Sequence, residues 1–275
     1  MTGRAGKVVS RAAAGLGLAG AMDLLGGKVR DAVGDQAPGR YRHAWAGLMI
    51  LSLAWGIASA AIFAGVLWVS HRFSPPVWET ALAVAGVALA GPYHAVPREL
   101  AALTGTKRQG SRVVLLAALW AVWAAGLAYL RLTQHYGRPD EEQALPAALA
   151  WVRPDMEALR VLILSPLWGA WAMMIAVQFR RPDKEASPAL AEFGGGCGPM
   201  LSAAVMGALL WWSILYFSFL PWHQLTISGA AIVGGIVAGV LAGRRAAGLS
   251  AGVLLAANLG AQGAFLAAYL ANVAR

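Results

Sequence analysis

Long apolar blocks alternate with short, mostly basic stretches along this chain. Seven blocks run over 44–69, 77–97, 113–132, 159–179, 200–220, 227–243 and 248–271. Each has roughly 17–26 residues, as a helix needs to cross a hydrocarbon core of about 30 Å. The pattern predicts an all-α polytopic membrane protein of seven transmembrane helices. The second block ends in GPYHAVP, whose prolines and glycine predict a kink or an end outside the hydrocarbon. Residues 1–43 form a separate N-terminal segment, and 44–275 form one transmembrane domain.

The polar stretches between the blocks differ in sign. Arg4, Lys7, Arg11, Lys28, Arg30, Arg40 and Arg42 precede the first block. Arg98, Lys107, Arg108 and Arg112 follow the second, Arg180, Arg181 and Lys184 the fourth, and Arg244 and Arg245 the sixth. With seven spans these sixteen cations share one side. Six fall on the other: Arg72, Arg131, Arg138, Arg153, Arg160 and Arg275, with Asp140, Glu141, Glu142, Asp155 and Glu157 beside them. The positive-inside rule then predicts a bacterial-type inner-membrane protein with a cytoplasmic N-terminus and an external C-terminus. Within 5–32, Leu16, Leu18, Met22 and Leu25 fit a helix with cations at both ends. A spanning helix would strand one cluster outside. An interfacial helix on the cytoplasmic surface is therefore expected, with an eighth span over 8–27 as the alternative.

Composition changes the meaning of the charge. Of 275 residues, 59% are hydrophobic and 13% charged, with a net charge of +9. In a soluble chain that balance would point to nucleic acid; here it is the imbalance of the loops, and no nucleic-acid partner is expected. The lone cysteine, Cys197, can form no intrachain disulfide, and no Cys/His spacing suits a metal.

A phrase recurs. At an offset of 113, Ile50, Leu51, Ser52, Trp55 and Gly56 fall on Ile163, Leu164, Ser165, Trp168 and Gly169, and Ile62 falls on Ile175. Ser74, Pro75 and Glu79 fall on Ser187, Pro188 and Glu192, which makes nine ungapped identities between 49–79 and 162–192. Three spans separate the copies, so a duplication would be an inverted repeat, 44–132 and 159–243, with 248–271 appended. Chance matching in an Ala/Leu/Trp-rich chain is the competing explanation.

Charge is scarce inside the blocks. Glu79 and His94 lie at the ends of the second, and histidines 43, 71, 94, 135 and 223 all fall at or beyond span ends, which argues against haem ligation. Uncharged polar residues stand out instead. Asn258 and Gln262 share one helical face, Gln178 lies near the inner end of the fourth block, and Ser213, Tyr216 and Ser218 lie in the fifth. Asn258, Gln262, Gln178, Ser52 and Ser165 are the expected lining of a substrate path; interhelical hydrogen bonding is the structural alternative. Gly235, Gly239 and Gly243 form two GxxxG steps for close packing, either on the last span, which offers Gly252, Ala256, Gly260 and Gly263, or on another subunit or second copy.

Two loops carry further chemistry. GTKRQGSR (105–112) places Lys107, Arg108 and Arg112 where they can hold a lipid headgroup or phosphate. FGGGCGP (193–199) reads as a hinge, a backbone ion site or an irregular start to the fifth span. No acidic pair for diphosphate chemistry, HExxH or GxSxG is present, so no catalytic residue, metal or cofactor is assigned. The expectation is a permease, or the membrane subunit of a transport complex, for a small neutral or lipid-like solute. The alternatives are a membrane enzyme acting on a lipid, with His94 or Glu99 as acid/base, and a non-catalytic scaffold.

Overall fold

In hydrocarbon a chain segment must satisfy its own backbone groups, and a helix does so within one segment. The computed structural model describes residues 17–25, 41–70, 157–179, 188–216, 221–245 and 249–273, and every regular element among them is an α-helix. In chain order these are α1 (Leu18–Leu25), α2 (Ala44–Ser70), α3 (Glu157–Phe179), α4 (Pro188–Gly196), α5 (Pro199–Tyr216), α6 (Pro221–Arg245) and α7 (Ala251–Val273). Five of them, α2, α3, α5, α6 and α7, are long and apolar enough to cross a membrane. They coincide with five of the expected spans; the other two, 77–97 and 113–132, lie outside the described residues.

Local signals set several boundaries. Pro188, Pro199 and Pro221 each open a helix, where the missing N–H costs no hydrogen bond. Ser250 caps α7, its hydroxyl accepting from the Val253 N–H at 3.4 Å.

Helix directions follow from glycine contacts. Gly235 lies against Ala261 and Gly239 against Ala257, so α6 and α7 run antiparallel. Gly235 also meets Ala172 and Gly239 meets Ala176, so α6 runs parallel to α3. Trp168 reaches Ser213 and Gln178 reaches Ser202, so α5 opposes α3. Gly56 sits on Leu162 and Ile163, whereas Gly196, beyond the far end of α3, touches Arg42 just before α2; α2 therefore also opposes α3. One end of the bundle gathers the starts of α2, α5 and α7, the ends of α3 and α6, and the exposed Arg42 and Arg244. The chain leaves α2 and returns into α3 at the opposite end.

α3 is the hub. It is buried along nearly its whole length, and α2, α5, α6 and α7 pack around it. The outer faces are apolar, with Val233, Val237 and Leu241 of α6 exposed at four-residue spacing beside Trp211 and Ile214 of α5. That is the surface expected of helices solvated by lipid tails.

α1 crosses the start of α2 where side chains are smallest. Gly17, at φ +62°, lies against His43 and Ala44, and Gly47 meets the Gly17 carbonyl and Ala21. Tyr41 ties this corner together: its phenol donates to Asp23 at 3.1 Å and its N–H to Glu192 of α4 at 3.3 Å. The eight described residues of α1 span only about 12 Å; the rest of 5–32 is outside the described residues.

The FGGGCGP stretch is a helix break. α4 ends at Gly196, α5 begins at Pro199, and the Cys197 N–H bonds back to Phe193 and Gly194. Glycine is needed at 196 because a Cβ there would collide with the Arg42 carbonyl.

The contact of α2 with α3 bears on the repeat. A two-fold axis equating the copies would return Gly56 on Ile163 as Gly169 on Ile50. The nearest side chain to Gly169 is Asn258 of α7, and Ile50 is 41% exposed. Ser52 and Ser165 are both buried.

Candidate functional site

The polar chemistry of the described bundle converges on α3, along two seams. Toward α5 the polar groups are matched. The Arg160 guanidinium donates to the Tyr216 carbonyl at 3.1 Å. Trp168 Nε1 donates to Ser213 Oγ at 3.3 Å, and Trp171 Nε1 to the Ser202 carbonyl at 3.0 Å. Gln178 Nε2 donates to the Cys197 carbonyl at 3.2 Å and to Ser202 Oγ. The two indoles meet edge to face, centroids 5.7 Å apart. Each long polar side chain thus finds its partner on the facing helix, as groups in hydrocarbon must.

Toward α6 and α7 the arrangement differs. Asn258 lies on Gly169, where a Cβ would come within 2.8 Å of its Nδ2. Gly169 is the central residue of the span Leu159–Phe179, so this amide sits at mid-depth. Gln262, one turn on, donates to Asn258 Oδ1 at 2.6 Å. Asn258 Nδ2 in turn meets Met173 Sδ at 3.4 Å, a weak acceptor. Both amides are buried. One turn before Gly169 is Ser165, fully buried, its hydroxyl without a hydrogen-bond partner among the described residues. Ser228 of α6 and Ser59 of α2 are buried and unpartnered in the same way. A helical serine ordinarily bonds back to the carbonyl one turn earlier; these three do not.

A lateral cleft of about 220 Å³ opens elsewhere, between the ends of α3 and α6 and the start of α7. Gly235, Gly239 and Gly243 floor it, Ala176, Phe179, Val240 and Val253 wall it, and Arg244 lies at its end. Neither Asn258 nor Gln262 reaches it.

Of the expected path residues, Asn258, Gln262 and Ser165 come together around Gly169. Gln178 lies apart, bonded on the α5 seam, and Ser52 lies on the α2 face. Lys107, Arg108 and Arg112 are outside the described residues. Gly235 and Gly239 are used within the chain, against Ala172 and Ala176 as well as α7; Gly260 meets Gly234 and Ala238, and Gly263 has nothing near it. Arg160, assigned by sequence to an outer loop, is only 6% exposed, inside the end of α3. Its place within the block 159–179 was the signal for burial. Ser228 was the residue that sequence reasoning missed, because one serine in a glycine-rich helix has no distinctive spacing. No group of His, Cys, Asp and Glu among the described residues could hold a metal.

Cys197 is buried, and desolvation pushes its thiol up to about 12, which leaves it an unreactive thiol at neutral pH. Comparison with protein families, characterised proteins and solved structures gives no significant match.

Proposed function

We propose that this integral membrane protein is a permease, or the membrane subunit of a transport complex, for a small neutral solute. The observation that carries this reading is the amide pair Asn258–Gln262 at mid-depth of the bundle, held against a glycine and a thioether. Pure structural bonding would be served by the fully matched geometry of the α5 seam. An uncharged polar row at mid-depth is what a neutral hydrogen-bonding solute needs to cross. Under this reading the basic end, with Arg42 and Arg244, faces the cytoplasm of an inner membrane, and Lys107, Arg108 and Arg112 contact lipid headgroups there.

Reswelling of proteoliposomes in glycerol or urea gradients tests the proposal. Wild-type vesicles should reswell faster than empty ones, and Asn258→Leu should lower the rate per folded molecule. Equal rates for wild-type and empty vesicles across such solutes would reject it.

A second reading follows from the lateral cleft. Its apolar walls and terminal Arg244 suit an acyl chain with an anionic headgroup, which favours a lipid-like solute entering from the side. A thermal shift with anionic but not zwitterionic lipid, lost in Arg244→Gln, would support it.

A further inference from the structure

The glycine face of α6 is covered unevenly along its length. A Cβ at Gly235 would come within 2.7 Å of Ala172 on α3; one turn on, at Gly239, the distance to Ala176 is 3.6 Å. The contact of α6 with α3 loosens toward the basic end. One further turn puts Gly243 opposite residue 180, past the last residue of α3, Phe179. On the antiparallel α7, Ala257 meets Gly239, and one turn nearer this end stands Val253. The lateral cleft of about 220 Å³ lies where the three helices separate, with Gly243 in its floor, Phe179 and Val253 in its walls and Arg244 at its end.

Depth, width and charge together define what can fill it. Gly235 stands at the middle of the span Leu225–Arg244, and Arg244 closes that span. The rise from 235 to 244 is about 14 Å, close to half of a hydrocarbon core of about 30 Å. The cleft is thus one leaflet deep. One turn of helix, about 10 Å across and 5.4 Å tall, takes roughly 400 Å³, so a helix of a second copy does not fit inside, whereas a single acyl chain does. The walls are apolar, and Phe179 beside them is 57% exposed. Water would find no partners on such walls, and an unfilled gap would forfeit their dispersion contacts. Arg244 is the one charged residue among the described residues lining the cleft. A guanidinium donates and never accepts, so its complement is an anion such as a phosphate oxygen. A zwitterionic headgroup would also bring an ammonium to a lining that offers it no carboxylate.

We propose that this cleft is a binding site for one phospholipid of net negative charge from the leaflet at the basic end. An acyl chain lies along Gly239 and Gly243, and the phosphate meets Arg244. The chain packs on α6 past the last residue of α3, which makes the lipid a partner of the α3–α6–α7 junction. This inference rests on the reading that the cleft takes an acyl chain. It goes beyond that reading in making the lipid a bound partner that stays in its own leaflet, not a solute that crosses.

Photo-crosslinking tests this in full-length protein in phosphatidylcholine nanodiscs. The probe is phosphatidylglycerol with a diazirine midway along one acyl chain, held at a fixed trace fraction, with adducts located residue by residue by mass spectrometry. Unlabelled phosphatidylglycerol should cut adducts at Ile236, Val240 and Val253 at least fivefold. It should leave those at Val233, Val237 and Leu241, on the exposed face of the same helix, unchanged. Gly243→Leu, which fills the floor, and Arg244→Gln, at an exposed position where folding is not at risk, should each lower the cleft adducts at least fivefold against that internal standard. Cleft adducts that respond no more than those of the exposed face overturn the site. Equal competition by phosphatidylethanolamine overturns the anionic headgroup. A dimeric protein without cleft adducts assigns the cleft to a second copy and overturns the lipid. Cleft adducts without transbilayer movement of fluorescent phosphatidylglycerol in proteoliposomes keep the site and remove the lipid-solute reading; movement without cleft adducts does the reverse.

Discussion

The two seams of α3 put the same kinds of residue to opposite use. Facing α5, Trp168, Trp171, Gln178 and Arg160 each spend an N–H on a named acceptor. Facing α6 and α7, Gly169 makes room for an amide, Met173 offers it only a thioether, and Ser165 is left without a partner. Long side chains at the first seam reach across and lock. Small ones at the second let the helices close at Ala172 and Gly235 and leave polar groups under-satisfied two turns away. In a bilayer, where lipid tails are as apolar as leucine, such matched contacts hold helices together. The matched seam is therefore the one that locks α5 onto α3.

Substitutions on the two seams should separate along that line. Trp168→Ala and Trp171→Ala should have the largest effect, each lowering stability by about 3–5 kcal/mol through a large lost side chain. Reversible unfolding in mixed micelles measures this, and a cost under 1 kcal/mol would show that the seam is not what holds α5. Gly169→Ala comes next. Its Cβ would lie 2.8 Å from Asn258, so the amide must shift, and a loss of about 1–3 kcal/mol is expected from overpacking. Gly263→Ala, with open space around it, should instead be neutral or stabilising, by up to about 1 kcal/mol from helix propensity. Equal responses at 169 and 263 would dissolve the distinction.

The serines give the sharpest contrast at smaller size. Ser213→Ala removes the acceptor of Trp168 and should cost about 0.6 kcal/mol, an ordinary interhelical hydrogen bond. Ser165→Ala and Ser228→Ala remove orphaned hydroxyls and should leave stability unchanged or raised. A loss at 165 or 228 matching that at 213 would mean these hydroxyls are bonded after all.

The smallest effect concerns pH. Burial raises the folded Cys197 thiol from 9.0 to about 12. Its contribution to stability is fully present below pH 9 and is lost as pH rises toward 12, because the unfolded chain ionises first. Cys197→Ala should flatten that alkaline decline, and the native thiol should resist maleimide at pH 8 until the protein is unfolded.

Five of the expected spans were legible because hydrophobic length is a local property: a run of about 20 apolar residues in hydrocarbon has no choice but to be a helix. Their ends were legible at Pro188, Pro199 and Pro221 only in hindsight. α4 in particular is only nine residues long, below the length that a span search registers. Asn258 and Gln262 could be picked out as polar residues four apart in an apolar block. Their setting was not legible, since Gly169, Met173 and Ser165 lie some 90 residues away in sequence, and nothing local says which helix faces which.

By itself, then, the sequence determined that the chain is helical, where its apolar helices run and which ends carry the positive charge, because each depends on composition over one turn or one span. Tertiary structure decided that α3 is the hub, that Arg160 is buried and that Gly235 and Gly239 meet alanines of α3 and α7. It also decided that Asn258 of α7 sits on Gly169 of α3. Such facts depend on helix direction, rotation and register, which are set when side chains of different helices interlock, and small residues fix them by how closely two backbones can approach.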